Sequence, residues 1–395
     1  MYTKPSILRG FVLFVIFCAS TQTVMATESY AVTDLGTLGG NESRAYGINE
    51  IGQVVGESKT ADGHSHAFLW TPSTPSGEPA TMIDLGTLGG TESVAFGINN
   101  LGIVVGRADT AEPGVSRAFL WDPNTDDIED LGMPAGPSVA RSINDAGEVV
   151  GTALDAIGFP QAFYRTQEGF IVFFSDFEPG DATSDGVALG YAGNTNMAGT
   201  FFFPAQAFKF GGETGFLALE DLGSTSFVYG MNTLNQAVGS VGSNGSEQAS
   251  LWVFSALTDL GTLGGSESRA RAINDLTQIV GSANTSTEIE HAFLWQEDVM
   301  IDLNDLLPTN TGWQLNEARD INESRVIVGT GTIKGQTHAF LLSAAGPAIP
   351  TTSEWGLVAL TLALLTVGTI VLNRRNRKAR CLSRVRFIPT SVSDS

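Results

Sequence analysis

The residues best suited to chemistry recur at fixed offsets along the chain. An Asp stands at Asp34, Asp84, Asp130, Asp176, Asp221, Asp259 and Asp302, at intervals of 38 to 50 residues, followed each time by Leu except at Phe177. One carboxylate per repeat could ring one end of the molecule and attract cations. Asp ahead of a glycine-rich turn also accepts hydrogen bonds from the turn's own N–H groups, and that is the reading preferred. Three histidines, His66, His291 and His338, share a second repeat position, and His64 is the fourth. Equivalent positions in separate units stand far apart, so these histidines read as strand-start residues rather than one zinc site; His64 and His66 share a strand face but have no third ligand nearby. The run Asp122-Pro123-Asn124-Thr125-Asp126-Asp127 has the oxygen ligands of a calcium loop but not its Gly or its terminal Glu. No nucleophile elbow, His-Glu-x-x-His, phosphate loop or dinucleotide fingerprint is present, so no catalytic residue, metal or cofactor is assigned. Paired carboxylates for glycoside chemistry stay open, because acids on separate units have a separation that sequence does not give.

The elements that position these groups are written repeatedly. After each Asp comes the turn Ile48-Asn49-Glu50-Ile51-Gly52, echoed at Asn99, Asn144, Asn232, Asn274 and Asn322. Seven residues after the Asn is a Gly, at Gly56, Gly106, Gly151, Gly239, Gly281 and Gly329, matched by Gly199 in the fourth copy. An Ala follows in every copy, at Ala67, Ala118, Ala162, Ala207, Ala249, Ala292 and Ala339, with Phe beside it in all but the fifth. Each unit thus holds four short strand-like runs separated by Gly, Asn, Pro and Asp, with no room for an amphipathic helix. The pattern predicts an all-β fold, a seven-bladed β-propeller of four-stranded blades over residues 30–342. The Phe side chains are expected between blades, and the Val-Val-Gly strand near the axis, where a missing side chain helps. The Asn turn reads as a tight hairpin closed by left-handed Gly; Thr277 and Arg325, which replace that Gly, predict a different local turn. The fourth unit departs most, with Ala192 for Asn and added Phe173, Phe174, Phe201, Phe202 and Phe203. Departures from a repeat are where function is grafted, though larger core residues are the plainer reading.

The formal charge is −21, and nearly all basic residues outside the termini are outnumbered by acids, which excludes a phosphate-neutralising nucleic-acid surface. Residues 1–26 have the basic, apolar and polar parts of a secretory signal, with cleavage expected after Ala26. Residues 355–372 are uncharged, long enough for a transmembrane helix, and followed by a basic tail, 373–395, beginning Arg374 and Arg375. The reading is an exported body, joined by a linker over 343–354 to a membrane partner. Both cysteines, Cys18 and Cys381, fall in these end segments, so burial alone must hold the body together.

Two resemblances follow from motifs. The segment Ile349-Pro350-Thr351-Thr352-Ser353-Glu354-Trp355-Gly356, with the helix and basic cluster after it, resembles the IPTL-type C-terminal sorting signal of Gram-negative bacteria. It implies a sorting enzyme as partner; Thr352 stands where Leu is usual. The units resemble the HAF-repeat family of extracellular proteins through His66-Ala67-Phe68, His291-Ala292-Phe293 and His338-Ala339-Phe340. That resemblance implies an address and an architecture, and no reaction. The function expected is a non-enzymatic cell-envelope or extracellular binding module for a carbohydrate or surface protein. The alternative is an extracellular polysaccharide hydrolase or lyase with acidic residues in the propeller channel.

Overall fold

A computed structural model describes residues 29–344, apart from 75, 134–135, 155–157, 159, 167–170, 175–186, 193–195, 203–204, 212–214, 219–224, 243–245 and 255. Pro160 and the strands between 171 and 218 are described as backbone. The chain opens with β1 (Tyr30–Asp34) and then forms a sheet of β2 (Gly39–Ile48), β3 (Val54–Thr60), β4 (Ser65–Thr71) and β5 (Thr81–Asp84), side by side in chain order. This antiparallel four-strand order recurs in sheets whose first strands are Gly89–Ile98, Ser138–Ile143, Val187–Ala192, Ser226–Met231, Gly264–Ile273 and Trp313–Ile321. Seven four-stranded sheets result, six of them with described side chains. Numbered from the β2 sheet, they are blades 1 to 7, and their first strands stand next to one another around the axis in a closed circle.

Blade 7 has no fourth strand of its own in sequence. Strand β1 supplies it by pairing antiparallel with Gln336–Ala344, Val32 facing Leu342. The blade boundary therefore falls between the Asp-Leu run and the Asn run, so in blades 1, 2, 5, 6 and 7 the repeat Asp closes the outermost strand. Closing the circle with the N-terminal strand hydrogen-bonds both chain ends of the propeller, which leaves no fraying blade.

The buried Phe residues sit between blades. Phe119 lies in one cluster with Val55, Ala67, Leu69 and Leu85 of blade 1 and Ala95 and Val104 of its own blade. Phe68 joins Val328, Ala339 and Leu341 of blade 7 across the closure. Each such ring contributes about 2–3 kcal/mol by burial. The Leu after the repeat Asp belongs to the same seams, at Leu35, Leu85, Leu131, Leu260 and Leu303.

Three expectations are corrected. The innermost strand is the one ending at the Asn, and the Val-Val-Gly strand is second. Its Gly is required by the inner strand's bulge between Ala45 and Gly47, since a Cβ on Gly56 would stand 1.9 Å from the Arg44 carbonyl oxygen. Thr277 (φ 59°) and Arg325 (φ 63°) do not change the turn; they take the left-handed conformation of Gly52 (φ 81°) and close it with the same backbone bond. The buried Asn and the flanking ladder over-determine that geometry. Finally, the expected transmembrane helix and membrane attachment find no support in the structure: among the described residues no helix is long and apolar enough to cross a membrane. The helical element there is a 3-10 turn, Leu303–Leu306. Residues 1–28 and 345–395, which hold Ala26, Ile349, Pro350, Thr351, Trp355, Gly356, Arg374 and Arg375, lie outside the described residues.

Candidate functional site

The repeat Asn builds the frame of the site. Asn49 donates from Nδ2 to the Asn99 carbonyl at 3.1 Å, Asn99 to Asn144 at 3.1 Å, Asn232 to Asn274 at 3.0 Å, Asn274 to Asn322 at 3.2 Å, and Asn322 to Asn49 at 3.1 Å. Each Oδ1 accepts the N–H four residues on within its own hairpin, as Gln53 N to Asn49 at 2.9 Å. One buried amide thus fixes its turn and clasps the next blade, which is why its chemistry repeats.

The residue after each Asn forms a rim. Its N–H donates to the side chain of the equivalent residue in the next blade: Glu50 to Asn100, Asn100 to Asp145, Thr233 to Asp275, Asp275 to Glu323 and Glu323 to Glu50. The rim therefore carries Glu50, Asp145, Asp275 and Glu323, their carboxylates held by backbone donors. Burial raises the Glu323 carboxyl, and Asp275 and Glu50 add to that. One residue further, Ile51, Leu101, Leu234 and Leu276 stand exposed at the hairpin tips, an aliphatic crown around an acidic mouth.

Inside the mouth is a cavity of about 360 Å³, lined by the ends of the inner strands. Its floor is made by the residue three before each Asn: Tyr46, Phe96, Arg141, Tyr229, Arg271 and Arg319. These side chains touch in sequence around the axis. The Arg141 guanidinium lies 4.7 Å from the Phe96 ring, Phe96 lies 5.6 Å from Tyr46, and Arg319 lies 5.3 Å from Tyr46. On the other side Arg271 lies 4.6 Å from Tyr229. Glu317 joins Arg271 (2.7 Å) to Arg319 (2.6 Å). Burial, and then Arg107 and Arg319, lower the Arg141 guanidinium, which stays charged. Burial and the Glu57 carboxylate, to which Tyr46 donates at 2.8 Å, hold the Tyr46 phenol well above its ordinary value.

One carboxylate in the cavity wall is half-buried within an inner strand. Asp320 stands where the other described blades carry Gly47, Gly97, Ser142, Gly230 and Ala272, and accepts from Ile48 N and Ile321 N at 2.9 Å each. Burial pushes its carboxyl up to about 7, against the pull of those two donors.

The sequence candidates lie elsewhere. Asp34, Asp84, Asp130 and Asp259 accept the N–H of the Gly two residues on at 2.8–2.9 Å, and Asp302 that of Asn304, so the repeat Asp serves its turn at the blade's outer strand. The histidines pair with these same carboxylates: His66 Nδ1 with Asp84 (2.8 Å), His291 with Asp302 (2.6 Å) and His338 with Asp34 (2.8 Å). Asp122 accepts from Asn124 within its own turn, and no three His, Cys, Asp or Glu cluster as metal ligands among the described residues. Asp176, Asp221 and the side chains of the divergent fourth unit lie outside the described residues. The cavity floor is not marked by any catalytic motif, although a signal exists: three residues before an almost constant Asn, six of the seven copies carry an aromatic residue or Arg.

No family model matches the chain, and no curated protein sequence does. Solved structures do resemble it. The β-propeller domain of the Trilobed protease from Pyrococcus furiosus is 8% identical, covers 76% of this chain and 94% of its own, with a TM-score of 0.50. Virginiamycin B lyase from Staphylococcus aureus is 12% identical over 80% of this chain and 100% of its own, with a TM-score of 0.51. Pyrococcus horikoshii acylaminoacyl peptidase is 8% identical over 80% of this chain and 54% of its own, TM-score 0.50. At these identities the likeness is one of fold. The protease domain has an open velcro topology, whereas β1 closes the last blade in this chain.

Proposed function

We propose that this is an exported propeller that takes a saccharide in its central cavity. The observation that carries the reading is where the repeat breaks: positions that seal blades are nearly constant, while the cavity floor varies between Tyr, Phe and Arg. Aromatic faces stack on the apolar faces of sugar rings, and guanidinium, amide and carboxylate groups bond their hydroxyls. The volume, about 360 Å³, is near the lower end for ligand pockets, about 300–1,000 Å³, and suits one or two sugar units. The exposed aliphatic crown supports this end as the interaction face. Export rests on the signal-like residues 1–26 and on the likeness of the units to HAF-repeat proteins. A glycan array of the full-length protein tests the reading, with Tyr229→Ala as cavity variant. Retained glycans that the variant loses support it; an array with no retained glycan contradicts it.

A second reading, cleavage of the bound polysaccharide, is favoured by one observation. Five carboxylates line the cavity: Asp320 in the wall, where the other described blades carry no acid, and Glu50, Asp145, Asp275 and Glu323 at the rim. A carboxyl raised to about 7, as at Asp320, is poised for proton transfer near neutral pH. Release of reducing ends or unsaturated sugars from retained polysaccharides, lost in Glu50→Gln or Asp275→Asn, separates cleavage from binding.

A further inference from the structure

We infer that the cavity selects a saccharide ending in a single uronate, its carboxylate held by Arg141 and its neutral neighbour by the rim. This inference rests on the saccharide reading above and names the class of ligand. Only twelve Lys and Arg lie between residues 27 and 350, yet three of them, Arg141, Arg271 and Arg319, point their charge into one cavity. Their states differ. Arg271 and Arg319 share the carboxylate of Glu317. Among the described residues Arg141 has no carboxylate partner: its guanidinium lies over the face of Phe96, and the charges that act on it are Arg107 and Arg319, both cations.

Among the described residues the floor therefore holds three guanidiniums, two of them sharing one carboxylate, in a protein whose overall charge is strongly negative. Like charges beside a guanidinium are relieved when an anion arrives, and a planar carboxylate matches the guanidinium fork in two parallel bonds. Phe96 and Tyr46, 5.6 Å apart, lie beside that fork as a platform for the ring that bears the carboxylate.

The mouth sets the second half of the specificity. Glu50, Asp145, Asp275 and Glu323 put negative charge and carboxylate oxygens at the opening, which suit the hydroxyls of a neutral sugar and repel a second carboxylate. Charge changes sign between floor and rim over one or two sugar lengths. A polyuronate fits the floor but not the rim, and a neutral glycan fits the rim but leaves Arg141 unanswered.

Isothermal titration of the full-length protein with cellobiouronic acid, cellobiose and trigalacturonate tests this. The expected order is cellobiouronic acid at least tenfold tighter than either of the others, the size of one charge-assisted pair, about 1.5–3 kcal/mol. Arg141→Gln removes that advantage, bringing cellobiouronic acid to within about twofold of cellobiose on the same variant; Arg141→Lys, which keeps the charge and loses the fork, recovers part of it. Arg165→Gln, an arginine away from the cavity, leaves the order unchanged, and circular dichroism confirms that each variant is folded. Equal affinity for cellobiouronic acid and cellobiose overturns the uronate inference and leaves saccharide binding standing. Tighter binding of trigalacturonate overturns the role of the rim. Failure of all three to bind overturns the inference, and the glycan array then decides the broader reading.

Discussion

Replacing Asn274 by Ala probes the clasp between blades directly. The side chain is 1% exposed and makes four hydrogen bonds. Nδ2 donates to the Asn322 carbonyl at 3.2 Å and to Gln278 Oε1 at 2.9 Å. Oδ1 accepts from Gln278 N at 2.9 Å and Leu276 N at 3.1 Å. Truncation strands the Asn322 carbonyl and the Gln278 N–H without water, at about 1–3 kcal/mol each, while the two remaining partners lose roughly 0.5 kcal/mol apiece. The expected loss is about 3–7 kcal/mol, read by equilibrium urea unfolding followed through Trp fluorescence. Asn100→Ala removes the same chemistry from the exposed rim, where water substitutes, and should cost about 1 kcal/mol or less. Asn274→Asp adds a discriminating case. It keeps the acceptors but sets a carboxylate against the Asn322 carbonyl, so it should be at least as damaging at pH 7 and partly recover near pH 4, where the protonated acid can donate. A loss below about 1 kcal/mol for Asn274→Ala, or equal losses at the buried and rim positions, would refute the claim that this amide holds neighbouring blades together.

Three other outcomes follow from the geometry. Gly281→Ala places a Cβ 1.9 Å from the Arg269 carbonyl oxygen and 2.9 Å from the Phe293 ring; unfolding should show a loss of about 3 kcal/mol or more, as overpacking against backbone does, and a neutral result contradicts the bulge argument. Thr277→Gly relieves a β-branched residue at φ 59° and should stabilise by about 1 kcal/mol, less the lost hydroxyl bond to Gln236, with a lowered urea midpoint as the contrary result. Asp320, whose carboxyl is raised to about 7, binds more protons folded than unfolded between its two titrations. Its contribution is therefore full below the ordinary Asp range and falls as pH rises toward 7, by up to roughly 4 kcal/mol; Asp320→Asn should flatten that slope, and an unchanged slope assigns the pH dependence to other groups.

Strand content, the interblade Phe and the turn role of Asp were legible because backbone and packing demands repeat identically in each unit. The same regularity hid other features. Asn49 advertises a hairpin, but its bond to Asn99 joins residues that only the closed circle brings together. The missing fourth strand of blade 7 is supplied by β1, which no local pattern reveals. Thr277 and Arg325 read as turn breakers because local strain was weighed without the tertiary bonds that impose it. The Val-Val-Gly strand was placed at the axis on the assumption that small means central, when the crowding comes from the neighbouring strand's bulge. Tyr46, Phe96, Arg141, Tyr229, Arg271 and Arg319 drew no attention because no catalytic motif contains them; their common offset from the Asn is what gathers them.

The most direct test of the account is a crystal structure of the full-length protein with cellobiouronic acid bound. The account predicts sugar density inside the central cavity, with the uronate carboxylate paired to Arg141 and the neutral ring at the Glu50 and Asp275 rim. Sugar bound only to the outer faces of the blades, with the cavity holding solvent alone, would contradict it.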